Sequence, residues 1–422
     1  MSLPIIGFVG MTHLGLVSGV SASEKGFSLV CFDPNAERIS ALSQGTLPVS
    51  EPQLDELVAK NASRLRFTSE SADLKSCDVI YVAPDVATDD QGQSDLQTIN
   101  SLLDVVFDAA RADAVIVVLS QVPPGYTRGR QRAGRILYYQ VETLIFGRAV
   151  ERALFPERYI VGCADPAQAL PEAFNTFLKA HGCPILPMRY ESAELAKISI
   201  NMCLVASVST ANTLAELCEK IGADWSEIVP ALKLDRRIGP YSYLSPGLGI
   251  AGGNLERDLA TVCNFADQYG TDAGVVRAWI QNSHHRKNWA ASKLREKLLN
   301  WKKNAVVAVW GLAYKENTNS IKNSPSLVAI SQLQDIQLRV YDPIVSWDPL
   351  WHPNAEVLDS PLAALDGVDA LMIMTPWPEF KSVAPIDIVQ RLKGKIILDP
   401  YSLLDRKLFA ETDFKVYTLG IN

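Results

Sequence analysis

A chain of 422 residues is too long for one hydrophobic core and divides into two or three domains. Its 48% hydrophobic and 21% charged residues are those of an ordinary globular protein. A formal net charge of -7 argues against nucleic acid as the main partner, yet leaves room for one basic pocket with an anionic small ligand. No stretch reads as a charge-free apolar span, and the first residues lack the basic region of a signal peptide, so the expectation is a cytoplasmic protein without a membrane partner. Seven cysteines (31, 77, 163, 183, 203, 218, 263) form no CxxC pair and meet no histidine at metal spacing. They read as reduced core residues, with no disulfide and no metal.

Leu3 to Val9 reads as a strand, Gly10-Met11-Thr12-His13-Leu14-Gly15 as a turn, and Leu16 to Lys25 as a helix stopped by Gly26. Phe27 to Phe32 is a second strand, closed by Asp33. In this dinucleotide-binding arrangement the turn lets a pyrophosphate approach the helix N-terminus, and a carboxylate after strand two takes the ribose hydroxyls. Thr12 stands at the middle glycine of the usual G-x-G-x-x-G. Asp33 favours NAD over NADP, because a 2′-phosphate would face a like charge. Strands and helices keep alternating: Asp78 to Ala83, Leu96 to Ala110, Asp113 to Leu119, then the loop Ser120 to Gly125 at a strand's C-terminal end, where ligands sit in open α/β sheets. Tyr159 to Cys163 and Cys183 to Met188 complete a first domain, residues 1–190.

Ala193 to Ile221 has no Pro or Gly and predicts one long, largely buried helix, suited to a domain connector or dimer element. Lys197 and Asn201 share a face of it. A charged turn, Asp235 to Gly239, precedes the glycine-rich stretch Pro246 to Gly253, which feeds a helix beginning near Asn254 and running to about Tyr269. Such a loop leaves backbone N–H groups free for an anion or a reacting oxygen; taken alone it reads equally as a flexible connector ending in an N-cap Asn254. A further helix, Ala273 to Leu299, exposes His284, His285, Arg286 and Lys287 as a solvated stretch. Ala305 to Gly311 then echoes Ile5 to Gly10, Ser324-Pro325 opens a helix to about Gln334, and strands follow at Leu338 to Tyr341, Ala370 to Met374 and Lys395 to Leu398. The fold class is therefore α/β: two Rossmann-like domains, 1–190 and 301–422, joined by a central all-helical domain, 191–300, with a long connecting helix.

With these motifs in hand the chain resembles the UDP-glucose/GDP-mannose dehydrogenase family along essentially its whole length. The resemblance rests on the N-terminal fingerprint with Asp33, on Glu51-Pro52, Pro156-Glu-Arg158, Lys197-x-x-x-Asn201 and Asp235-x-Arg237-Ile-Gly239. It extends through the glycine loop and Tyr314-Lys315-x-x-Thr318 to Ser324-Pro325. It implies oxidation of a sugar C6 alcohol by NAD in a homodimer. Lys197, Asn201 and Asp258 match the family's catalytic groups, and Glu142 matches the carboxylate linked to hydrolysis. Thr143, Leu144, Tyr243, Leu244, Gly247, Gly249 and Lys315 match substrate-binding positions, and Arg237 the arginine supplied by the partner subunit. Gly10, Met11, Thr12, Leu14, Gly15, Asp33, Arg38, Gln121 and Lys322 match the cofactor side.

The departures bear on the chemistry. Where the family loop reads Gly-Gly-x-Cys-Phe-Pro-Lys-Asp, this chain has Ala251-Gly-Gly-Asn254-Leu-Glu-Arg-Asp258. An amide cannot add to an aldehyde, so the covalent route to an acid is closed. Gln121 replaces a threonine, Phe146 a second glutamate, Lys322 an arginine, and Asp85-Val86 a Thr-Pro near the cofactor. The expectation is NAD-dependent oxidation of a nucleoside-diphosphate sugar such as UDP-glucose without a cysteine. Asn254 either holds the aldehyde oxygen or caps its helix. The alternatives are a redox-neutral epimerase, or a non-catalytic sugar-nucleotide-binding protein in which Lys197 and Asp258 are only an interdomain ion pair. The pathway stays open among polysaccharide precursors, glycosylated metabolites and lipid sugars.

Overall fold

Short apolar runs such as Ile6–Val9, Val79–Val82 and Val115–Val118 are buried at every position. That is the pattern of parallel strands covered by helices on both faces. A computed structural model describes residues 3–87, 89 and 94–421, in two compact units, Met1–Ile200 and Asn201–Asn422.

The first unit holds an eight-stranded sheet: β1 (Ile6–Val9), β2 (Leu29–Phe32), β3 (Leu65–Thr68), β4 (Val79–Val82), β5 (Val115–Val118), β6 (Ile136–Gln140), β7 (Tyr159–Cys163) and β8 (Ile185–Arg189). The order is β3-β2-β1-β4-β5-β6-β7-β8, parallel except where β6 meets β7. One hydrophobic layer, with Phe8, Leu16 and Val17, lies on one face; a second, with Val9, Ile80 and Leu103, lies on the other. The strand order reverses between β1 and β4, which opens a crevice at their carboxyl ends.

The second unit contains β9 (Val306–Trp310), β10 (Gln337–Tyr341), β11 (Ala355–Val357), β12 (Ala370–Ile373), β13 (Ile396–Leu398) and β14 (Lys415–Tyr417). Their order, β11-β10-β9-β12-β13-β14, is wholly parallel and repeats the first sheet's reversal. The helix after β9 starts as the sequence predicts, with Ser324 accepting from the Ser326 amide and Pro325 in the first helical turn. It stops at Ser331, short of the expected Gln334.

The helical segment corrects several expectations. The long helix spans Tyr190–Ile221, and only one face of it is buried, through Ala193, Ile198, Val205, Ala211 and Ala215. Leu195, Leu214, Leu217 and Ile221 stay exposed. Residues 198–215 carry no charge, so by length and composition this helix could cross a membrane. Its buried polar groups are nonetheless engaged by protein: Asn201 by Asp258, and Asn212 by the Gly247 amide. The expected helix over 273–299 breaks at Asn288 into Gly274–Lys287 and Trp289–Leu294, followed by a wide turn at Arg295–Leu299.

His284 and His285 are exposed, as expected, but Arg286 and Lys287 are buried. Arg286 meets Glu216 at 3.1 Å and Glu219 at 3.6 Å, and Lys287 meets Glu256 at 3.0 Å. Pairing of this kind is what keeps an interior cation tolerable. All seven cysteines are free, but Cys203 is exposed, so it is no core residue.

His181 sets one pH response of the first unit. Burial against Tyr159 and Phe177 pushes its imidazole down from 6.5 to about 4, and the nearby Lys25 charge adds to the shift. Folded His181 therefore stays neutral where the unfolded chain takes up a proton, and stability falls as pH drops from 6.5 towards 4. The contribution lost at pH 5 is about 2 kcal/mol. His181→Gln should flatten the fall in melting temperature between pH 7 and pH 5; equal slopes in variant and wild type would remove His181 from the account.

Candidate active site

Gly10 ends β1 at φ +92, and a Cβ there would lie 2.9 Å from the Pro84 nitrogen. A Cβ on Gly15 would lie 2.0 Å from the Gly10 oxygen, so this turn closes only around glycine. Asp33, 2% exposed, accepts hydrogen bonds from the Met11 amide at 2.7 Å, the Asn35 amide at 3.0 Å and the Arg38 guanidinium at 2.8 Å. The carboxylate is thus fixed at the end of β2, and Arg38 acts through it. Met11 and Leu14 send their side chains into the core, which leaves their backbones for the turn. Thr12 caps the following helix, His13–Glu24. Its Oγ1 accepts from the Asp85 amide at 2.8 Å, while Asp85 Oδ2 accepts from the His13 amide at 2.9 Å.

The His13 ring pairs with Glu51 at 2.8 Å and stacks on Phe146. Glu51 also accepts from the Gly147 and Ala149 amides, so the Glu51-Pro52 motif anchors the 146–149 turn. Gln121 is half-buried, just past the end of β5. The turn and the ribose carboxylate fit a bound dinucleotide; the helix N-terminus, where a pyrophosphate would sit, already carries Asp85.

Lys197 and Glu142 come together. The Lys197 ammonium lies 2.8 Å from Glu142 Oε1 and donates to the Glu142 carbonyl at 3.2 Å. Glu142 Oε2 accepts from the Leu144 amide at 2.9 Å, and the Thr143 carbonyl accepts from Arg152 at 2.7 Å. Glu142, Thr143 and Leu144 border a partly open cavity of about 50 Å³, shared with Tyr159, Phe177 and His181. It has room for a few water molecules and none for a sugar nucleotide.

In the second unit the glycine loop is held at each glycine. The Gly247 amide donates to Asn212 at 2.7 Å, and the Ile250 amide donates to Ser283 Oγ at 2.8 Å. Gly249 sits at φ +86, where a Cβ would come within 2.5 Å of the Ser283 oxygen. Gly252 packs under the Tyr314 ring; its amide donates to the Lys322 carbonyl at 3.0 Å, and its own carbonyl accepts from Asn323 at 3.2 Å. The Lys322 side chain lies over Gly253. Lys322, expected on the cofactor side, is thus placed beside the loop that carries Asn254.

The helix N-cap is Gly253, which corrects the reading of Asn254 as the cap: Asn254 is exposed and is the first residue of Asn254–Tyr269. Four residues on, and on the same face, Asp258 is 1% exposed. It accepts from Asn201 Nδ2 at 2.5 Å and from Arg257 Nε at 3.3 Å. Neither of the cysteines nearest in sequence to Asp258 and Asn201 stands in for the missing one. Cys263 is buried beside Val205 and Leu259 with its thiol pushed up by burial, and Cys203, two residues past Asn201, points to the opposite side of its helix.

The remaining expected substrate contacts are more scattered. Arg237 is 89% exposed at its side chain and grips Asp235 with bonds of 2.7 and 3.0 Å. Tyr243 is exposed, whereas the Leu244 side chain is buried and its carbonyl accepts from Trp225. Lys315 lies 5.7 Å over the Tyr314 ring. Asn212, Ser283 and Asn323 were not anticipated, because a residue that supports a distant loop through one bond leaves no periodic signal.

Comparison with known proteins matches three stretches of the chain. Residues 5–177 match the NAD binding domain of the UDP-glucose/GDP-mannose dehydrogenase family, residues 191–284 its central domain and residues 308–406 its UDP binding domain. The UDP-glucose 6-dehydrogenase of Rickettsia typhi is 30% identical over 431 residues, covering 98% of this chain and 99% of that one. A UDP-glucose dehydrogenase structure from Pyrobaculum islandicum superposes with a TM-score of 0.83 at 25% identity, covering 99% of this chain and 98% of the other. A UDP-D-ManNAc dehydrogenase from Pyrococcus horikoshii shares the fold, with a TM-score of 0.82 at 23% identity and 99% of each chain covered.

Proposed function

The chain belongs to the UDP-glucose/GDP-mannose dehydrogenase family, and from that membership we propose that it oxidises the C6 alcohol of a nucleoside-diphosphate sugar such as UDP-glucose without using a cysteine. The observation that carries this reading is Asp258, buried and held by Asn201 and Arg257, one helical turn beyond a loop whose first helical residue is an amide. The turn from Gly10 to Gly15 and the Asp33 carboxylate would hold NAD, which would supply the hydride acceptor for C6. Lys197, steadied by Glu142, stabilises the charge that develops on O6, and Asp258 accepts the proton directly or through one water. Asn254 donates to the aldehyde oxygen. Being no nucleophile, it leaves the aldehyde uncaptured. The reaction therefore stops after one hydride, unless the aldehyde hydrate loses a second.

The test is the amount of NADH formed per sugar, with the product identified by mass, across UDP and GDP sugars. One NADH with an aldehyde or its hydrate supports the reading. An epimerised sugar with no net NADH would replace it with redox-neutral chemistry, and an unchanged sugar would leave only binding.

The exposed row Leu214, Leu217 and Ile221 recurs on one side of the long helix, and it supports a homodimer in which Arg237 serves the partner's site. Leu214→Glu with Leu217→Glu should halve the sedimenting mass; a wild type already sedimenting at the chain mass of 46.2 kDa would end the dimer reading.

A further inference from the structure

The helix after β1 already has an anion at its N-terminus, and the anion is the protein's own. Asp85 follows β4 across the strand-order reversal, and its carboxylate accepts from the His13 amide at 2.9 Å. The Asp85 amide in turn donates to Thr12 Oγ1 at 2.8 Å, so the two loops are latched by a reciprocal pair of bonds. His13 is the first residue of that helix. Its amide is among the donors that a dinucleotide pyrophosphate uses in a Rossmann turn, and the helix dipole favours negative charge there whatever its source. A carboxylate and a pyrophosphate cannot share this donor, and their like charges repel at such range.

We propose that Asp85 is a built-in competitor for the phosphate position and sets how tightly this chain holds its dinucleotide. Binding requires the Asp85 side chain to leave the His13 amide. The penalty falls on the phosphates and spares the adenosine, whose ribose is met by Asp33 on the other side of the turn. Thr12 belongs to the same device: a glycine there would have no Oγ1 to latch the Asp85 amide. The inference rests on the NAD-binding assignment and is independent of the proposed alcohol oxidation.

Equilibrium binding of NAD, ADP and adenosine to the full chain separates the outcomes. Asp85→Asn keeps an oxygen for the His13 amide and removes the charge; it should bind NAD and ADP about tenfold more tightly, with adenosine unchanged within twofold. Raising salt should narrow the difference between variant and wild type, since the penalty is electrostatic. Asp85→Ser, a smaller side chain, should behave alike and guards against a folding defect in the first variant. Equal NAD affinity in wild type and both variants would overturn the proposal, as would an equal gain for adenosine. A chain that binds none of the three would overturn the site assignment beneath it.

Discussion

Replacing Lys197 by alanine is expected to lower kcat by roughly 10²- to 10³-fold, the range for losing one donor that stabilises developing charge. The side chain is 14% exposed and its ammonium is matched to Glu142, itself 17% exposed, so the substitution also leaves a half-buried carboxylate without its cation. That should cost about 1–3 kcal/mol of stability. Rate and stability must therefore be read separately, the rate well below the melting point. Glu142→Gln keeps an acceptor for the Leu144 amide and removes only the charge. It should lower stability comparably while leaving most of the rate, if Lys197 acts on the substrate and Glu142 merely steadies it. A Lys197→Ala enzyme within threefold of wild type would dismiss the lysine from the chemistry.

Asn254→Cys should restore a second oxidation and raise the NADH formed per sugar from one to two. The position is exposed and opens a helix, where a thiol's pKa is lowered by the free amides. The thiolate would add to the aldehyde carbon; the thiohemiacetal would give its hydride to a second NAD and its hydroxyl proton to Asp258 or solvent to become a thioester; and water would release the acid with the sulfur as leaving group. The gain in acid over wild type should reach two orders of magnitude or more, and iodoacetamide should block that gain while sparing the first oxidation. A variant whose cysteine alkylates readily but still yields one NADH would show that the missing thiol is not what limits the extent of oxidation. A wild type that already yields two would point to the hydrate route.

Much of this architecture was legible in the residues. Short apolar runs gave β1, β2, β4 and β5, and the spacing from Gly10 to Asp33 gave the nucleotide crevice, because those signals are local. β3, β6, β11 and β14 were missed: Leu65–Thr68 and Lys415–Tyr417 mix exposed with buried positions, Ala355–Val357 buries none of its three residues, and Ile136–Gln140 alternates half-buried with buried positions and ends in polar Gln140. Arg286 and Lys287 looked solvated because their carboxylates lie far off in sequence, Glu216 and Glu219 on the long helix and Glu256 beside the glycine loop. Asn254 looked like a cap because asparagine favours that position, yet a Gly-Gly pair precedes it and the turn closes one residue earlier, at Gly253. The Asp85 latch had no periodic or spacing signature at all; only the substitution of an acid for a threonine hinted that the neighbourhood differs.

The bonds from Lys322 and Asn323 to Gly252 bear on how this molecule could be altered. They fasten the strip of chain that presents Asn254 to the segment following β9, so the portion matched to the family's UDP binding domain also sets the pose of the stretch to which the proposed reaction assigns Asn254. Grafting a C-terminal sheet from a relative with another nucleotide preference would then disturb turnover together with selectivity. Chimeras exchanged at residue 300 should need the donor's 251–254 stretch to travel with the donor's 314–323 stretch before they regain speed.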